Sequence, residues 1–214
     1  MNTNILSKVI KLFWGIQIKM EFIKNYFKEL KKTIDEISVE DIKKVIDILY
    51  NAYKKNKQIF IIGNGGSAST ASHFACDLSK GTLQRIYDEK EKRFRAISLT
   101  DNVAHITALA NDLDYNDVFS QQLRNLVNPG DIVIAISGSG NSKNILNAID
   151  SASKSGAVTI GFLGFDGGKL KNKVNYYIHI PSNHYGRIED LHLVLAHLIS
   201  SYLAKMKKNE EISN

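Results

Sequence analysis

Ile59-Phe60-Ile61-Ile62-Gly63-Asn64-Gly65-Gly66-Ser67-Ala68-Ser69 is an apolar run that breaks into glycines and then into small hydroxyl residues. Four apolar residues, three of them isoleucine, predict a buried strand. Gly63, Gly65 and Gly66 permit positive φ and close backbone approach, so the strand is expected to end in an open turn. Ser67 or Ser69 is expected to cap a following helix through Ala71, His73 and Phe74, which turns unpaired N–H groups and a positive dipole end toward the turn. An anion, phosphate above all, suits that position. The alternative is a plain glycine turn with no ligand. The stretch has neither the lysine of a Walker A loop nor the spacing of a dinucleotide fingerprint.

After this stretch the pattern alternates. Phe94–Thr100, Ile132–Ile136, Val158–Leu163 and Tyr176–Ile180 read as four more strands. Helical periodicity fills the segments around Val103–Leu109, Asn116–Leu126, Ser142–Ser155 and Arg187–Lys205. Strands alternating with helices imply right-handed crossovers, hence an α/β fold with a five-stranded parallel sheet flanked by helices. Ahead of it, Phe22 to Lys57 reads as a helical hairpin, with Ser38-Val39-Glu40-Asp41 as the N-cap and acidic first turn of its second helix. The expected organisation is an extension over residues 1–19, a hairpin over 20–57 packing on the domain, one domain over 58–205 and a polar tail over 206–214.

Composition narrows the functional classes. The net charge of +6 resides mostly in residues 1–57, where twelve lysines face seven acids, and no basic stripe flanks the glycine turn. Nucleic acid is therefore not the expected partner. The apolar patch within Met1–Lys19 is broken by Lys8 and Lys11 and is too short to span a bilayer, so neither a membrane anchor nor a signal peptide is expected. The lone Cys76 forms no disulfide within one chain and fits a reducing, cytoplasmic setting.

In a parallel sheet the ligand crevice lies beyond the carboxyl ends of the strands. After Ile136 comes Ser137-Gly138-Ser139-Gly140-Asn141-Ser142, a second turn of glycines and hydroxyls that opens a helix. Its hydroxyls and free N–H groups suit a phosphate monoester. After the first turn, His73 and Asp77 stand at i, i+4 on one helix face, and near the end Arg187-Ile188-Glu189-Asp190-Leu191-His192 precedes His197. Glu189 and His197 are eight apart, about 80° around a helix, so both lean to one side. Two imidazoles and two carboxylates would make a divalent-metal site or an acid–base set. The bland readings are a surface pair for His73 and Asp77 and a packing histidine for His197.

Taken in order, Gly63-Asn64-Gly65-Gly66-Ser67, Ala71-Ser72-His73-Phe74-Ala75, Asn111-Asp112, the serine turn and Arg187-Ile188 with His192 resemble the sugar isomerase (SIS) domain and, within it, the sedoheptulose-7-phosphate isomerase family. The resemblance runs from about Met20 to Leu203. It implies a single SIS domain in a cytoplasmic homotetramer that converts sedoheptulose 7-phosphate to glycero-manno-heptose 7-phosphate, the first step toward nucleotide-activated heptose for lipopolysaccharide or capsule. It also implies a phosphorylated sugar substrate held by Asn64, Gly65, Gly66, Ser67, Asn111, Asp112, Ser137, Gly138, Ser139, Ser142 and Glu189. Zinc would be held by His73, Asp77, Glu189 and His197, with Asp77, Glu189 and His197 as the catalytic set.

Several positions depart from the family pattern. Asp77 stands where a glutamate is usual, Glu189 for a glutamine, Gly186 for an aspartate and Gly138 for a threonine, and Thr82–Lys92 replaces a short arginine-bearing turn. An isomerase of another phosphosugar and a non-catalytic sugar-phosphate-binding module are the alternatives. Retention of two histidines and two carboxylates favours an enzyme.

Overall fold

The computed structural model describes residues 20–213. The extension expected over residues 1–19 lies outside them. The chain divides into a unit that ends at Glu36 and a larger one from Ile37 onward, a boundary that falls between the two helices of the expected hairpin. In the first unit α1 spans residues 20–35. The second unit opens with α2 (Val39–Lys54), whose N-cap Ser38 accepts a hydrogen bond from the Asp41 N–H, the cap expected from the sequence.

Five strands follow: β1 (Gln58–Gly63), β2 (Arg95–Ser98), β3 (Ile132–Ser137), β4 (Val158–Leu163) and β5 (Tyr176–His179). They form one all-parallel sheet in the order β2-β1-β3-β4-β5. Between them run α3 (Gly66–Cys76), α4 (Val103–Asp112), α5 (Val118–Leu126) and α6 (Lys143–Lys154), and α7 (Tyr185–Ser213) closes the chain. The strand period of two divides each central strand between the faces. Phe60, Ile62, Val133, Ala135 and Leu163 enter a core with Phe119, Leu123, Ile145 and Ile149 of α5 and α6. The alternate residues, among them Ile61 and Phe162, turn to the opposite face, where the Phe74 ring of α3 lies 5.9 Å from Phe162. Burial on both faces explains why these strands read as unbroken apolar runs.

Two expectations need correction. Neither Ser67 nor Ser69 caps α3; Gly65 does, at φ 56, without a side-chain bond, and Ser67 is buried in the first turn. A left-handed cap favours glycine over a hydroxyl residue. The helix expected to end at Lys205 continues through Ser213, and Lys207, within the expected polar tail, is buried.

Candidate active site

In the order β2-β1-β3, the chain crosses from β1 to β2 on one side and then from β2 past β1 to β3 on the other, which makes the β1/β3 junction the topological switch point of the sheet. The glycine turn follows β1 and the serine turn follows β3, so both open into the same crevice. They are tied together there: Asn64 and Asn144 exchange reciprocal amide hydrogen bonds of 2.9 Å each, and the Tyr115 hydroxyl donates to the Asn64 carbonyl at 3.1 Å.

A cavity of about 180 Å³ occupies this junction, lined by Asn64 and Ser67 of the first turn, Ser137, Gly138, Ser139 and Ser142 of the second, and Tyr185 and Glu189 of α7. The serines differ in their freedom. Ser137 Oγ accepts from the Gly140 N–H and Ser139 Oγ from the Asn141 N–H, whereas Ser142, the N-cap of α6, makes no side-chain capping bond. The starts of α3, α6 and α7 all border the cavity, and its wall contains no lysine or arginine. Three positive dipole ends with hydroxyl and N–H donors suit an anion held by neutral groups.

Glu189 supplies the one fixed negative charge of the wall. A β-carbon added to Gly66 would stand 2.8 Å from Glu189 Oε2, so the carboxylate lies against the first residue of α3. The position expected for a ligand at the glycine turn is thus bordered by the chain's own anion, which leaves the serine turn as the better placed of the two for a second anion.

Farther along the same pair of helices, His73 Nε2 lies 2.7 Å from His197 Nε2, and Asp77 Oδ2 lies 3.3 Å from the former and 3.8 Å from the latter. Their ligating atoms fall within 4.8 Å of one another. Asp77 opens a π-helical turn, Asp77–Gly81, at the end of α3; such turns recur at functional sites. Two imidazole nitrogens and a carboxylate oxygen, partly open to solvent, are a donor set that fits a divalent metal. Glu189 is not in this group, contrary to the sequence expectation. Eight residues of helix rotate by only about 80° but advance by about 12 Å, so Glu189 meets the start of α3 while His197 meets its end.

Gly65 borders the turn as the cap, with open space where a side chain would go. Asn111 and Asp112 are exposed at the end of α4, hydrogen-bonded to each other at 2.9 Å, and do not line the cavity. Tyr185, Asn144 and Tyr115 belong to the site although no motif marked them. Their one sequence signal is proximity to the ends of β3, β5 and α4, where ligand-facing residues gather.

The SIS domain family matches residues 22–164. The chain is 36% identical over 180 residues to a probable phosphoheptose isomerase of Thermoplasma acidophilum, covering 84% of this chain and 96% of that one. It is 37% identical over 182 residues to the phosphoheptose isomerase of Helicobacter pylori, covering 85% and 91%. Among solved structures, the phosphoheptose isomerase of Neisseria gonorrhoeae superposes with a TM-score of 0.79 at 28% identity, covering 87% of this chain and 98% of that one.

Proposed function

The chain belongs to the SIS domain family and, within it, to the phosphoheptose isomerases, and we propose that it interconverts sedoheptulose 7-phosphate and glycero-manno-heptose 7-phosphate by moving a proton between C1 and C2 of the open-chain sugar. It is a phosphosugar isomerase. The observation that carries the residue-level reading is the pairing, along α3 and α7, of a cavity rich in neutral donors with a separate two-histidine, one-carboxylate cluster. One suits a phosphate and the other suits proton transfer, and a seven-carbon chain is long enough to link them.

In this reading the phosphate takes hydrogen bonds from Ser139, the free Ser142 hydroxyl and the N–H groups that open α6, beside Asn64. Of the two carboxylates expected as the base, Glu189 stands beside the phosphate and Asp77 in the histidine cluster, so in this reading Asp77 takes the proton from C1 and returns it to C2, while His197 moves a proton between the two oxygens. His73, Asp77 and His197 hold a divalent ion, zinc by the donor chemistry. When bound, it supplies positive charge against the developing enediolate oxygen.

The functional unit in this reading is a homotetramer. Its support is the exposed apolar surface: Phe22, Ile23, Phe27 and Ile34 on α1, and Val194, Leu198 and Tyr202 at four-residue spacing on α7. No helix among the described residues is long and apolar enough to cross a membrane. The free Cys76 supports a reducing, cytoplasmic setting for a step that feeds lipopolysaccharide or capsule synthesis. Incubation with a panel of ketose phosphates tests the function directly: sedoheptulose 7-phosphate should yield the aldose, and in deuterium oxide the exchanged hydrogen should appear at C2 of that product. Turnover of another ketose phosphate, with sedoheptulose 7-phosphate untouched, would reject the substrate.

A further inference from the structure

Beside the serine-turn cavity lies a second pocket of about 530 Å³, lined by Ser139, Asn141, Phe165, Asp166, Asn183 and Tyr185. The two share Ser139 and Tyr185. The Tyr185 ring stands over the serine turn with its edge inward: a β-carbon on Gly138 would sit 3.3 Å from both Cδ1 and Cε1. Ring and β-carbon therefore crowd each other, and glycine at 138 is what lets the ring approach.

The ring is braced from behind. Phe165 meets it edge to face, with centroids 4.8 Å apart and planes at 67°. Phe165 adopts φ 48, a left-handed conformation costly for a bulky residue. It is held there by a bond from its N–H to the Ser182 carbonyl, 3.1 Å, and by the His179 ring, whose Nε2 lies 2.8 Å from the Phe165 carbonyl. Strain fixed at this position has a consequence the rest of the loop does not need: it keeps an aromatic wall between two pockets.

We propose that Tyr185 restricts the serine turn to terminal phosphates, admitting a phosphate monoester and refusing a phosphodiester. The inference rests on the serine turn being the phosphate site. An aromatic edge carries partial positive charge, so C–H groups turned toward the turn favour the phosphate oxygens on that side. A second ester substituent directed from the serine turn toward the larger pocket would meet the ring, which lines both. That pocket has no lysine or arginine in its wall and offers no charge that would draw a further phosphate into it. Tyr185 is 57% exposed, so its removal opens the partition without emptying a core.

Calorimetry with inorganic phosphate, ribose 5-phosphate and UDP-glucose, each also tried as an inhibitor of isomerisation, tests the proposal. The unaltered protein should bind the first two and take UDP-glucose at least about a hundredfold more weakly than ribose 5-phosphate. Tyr185→Ala should weaken the monoester by about threefold to tenfold and strengthen UDP-glucose by about tenfold, collapsing the ratio. Tyr185→Phe should keep the ratio. Gly138→Val, which pushes the ring away, should shift it as Tyr185→Ala does and supplies the answer if that variant fails to fold. An unchanged ratio in a folded Tyr185→Ala or Gly138→Val protein that still binds ribose 5-phosphate overturns the gate. If the unaltered protein binds neither inorganic phosphate nor ribose 5-phosphate, the phosphate assignment of the serine turn fails first, and the gate falls with it.

Discussion

Glu189 of α7 presses its carboxylate against Gly66 of α3, so that any side chain at 66 would have to displace it: an added β-carbon would stand 2.8 Å from Oε2 and 3.0 Å from Cδ. The contact joins the starts of two helices that follow different strands. It also fixes the one anion beside the proposed phosphate.

That contact separates two glycine substitutions. Gly66→Ala meets the far end of a flexible side chain, so stability should change by less than about 1 kcal/mol, helped by the better helix propensity of alanine. Its kcat/KM should fall because the carboxylate is moved. Gly63→Ala would instead meet the Ser67 backbone carbonyl at 2.5 Å, which cannot step aside, and should destabilise by about 1–3 kcal/mol. Thermal melts beside kinetics distinguish them; equal stability losses would show that Glu189 is as rigid as backbone.

Ser142 offers a cleaner probe of the phosphate site than its neighbours. Its hydroxyl makes no capping bond, whereas Ser137 is buried and accepts from Gly140. Ser142→Ala should thus leave the melting temperature nearly unchanged while losing a hydrogen bond to a charged group, about 1.5–3 kcal/mol, or roughly tenfold or more in phosphosugar affinity. Calorimetry showing parent affinity would remove Ser142 from the site.

Much of this architecture is legible in the sequence because each central strand is buried on both faces and so leaves an uninterrupted apolar run; Val158–Leu163 coincides with β4 to the residue. The site was legible where spacing is local, as in His73 and Asp77 on one turn or the serines following β3. It was not legible where the deciding partner is distant. Nothing in the sequence joins Asn64 to Asn144, eighty residues on. For Glu189 and His197, spacing gave their rotation about α7 but concealed how far apart they sit along it. The cap of α3 is hidden from the sequence because a left-handed glycine, Gly65, takes the role that the nearby Ser67 or Ser69 could have filled.

The histidine cluster should respond to metal and to substitution in different ways. His73→Ala removes one of three donors and should lower metal occupancy by elemental analysis. His197→Gln should lower kcat by about 10²–10⁴ with a smaller change in KM if His197 moves the proton. Chelation followed by dialysis should abolish turnover and zinc should restore it. Full activity in metal-free protein and in both variants would make the cluster structural.

His192 gives the fold a pH dependence of its own. The imidazole is 0% exposed against the Phe162 ring, 6.1 Å away, and no hydrogen-bond partner of good geometry reaches either ring nitrogen. Burial pushes its pKa down to about 4, opposed in part by the Leu163 backbone. The unfolded chain therefore takes up this proton near the ordinary value of 6.5 and the folded one only near 4. The stability conferred by keeping it neutral is complete above pH 6.5 and is lost as pH falls toward 4, up to about 3 kcal/mol. Urea unfolding at pH 7.5 and pH 4.5 should show this loss, and His192→Leu should reduce it; equal slopes would mean that the imidazole is not the titrating group.

The long loop after Asp77 is held by a buried ion pair. Glu91 accepts from the Gln84 and Arg85 N–H groups at 2.8 and 2.7 Å and from Lys207 Nζ at 2.9 Å, while Lys207 also donates to the Thr82 carbonyl. Burial pushes the Glu91 carboxyl upward, but those N–H groups and the ammonium outweigh it and hold its pKa below the usual range. Each charge is thus compensated only while the other is present, and both side chains are 1% exposed. Lys207→Met should leave an uncompensated carboxylate in the interior and cost about 3–5 kcal/mol. The double variant Lys207→Met, Glu91→Gln should recover much of that loss, since it removes the stranded charge rather than the packing. The loop itself should open first: Tyr87, 96% exposed at its tip, lies in the segment where limited proteolysis by chymotrypsin should accelerate in Lys207→Met before global unfolding is detectable. If the single variant melts with the parent and its loop is cut no faster, the pair is not what anchors the segment that follows Asp77.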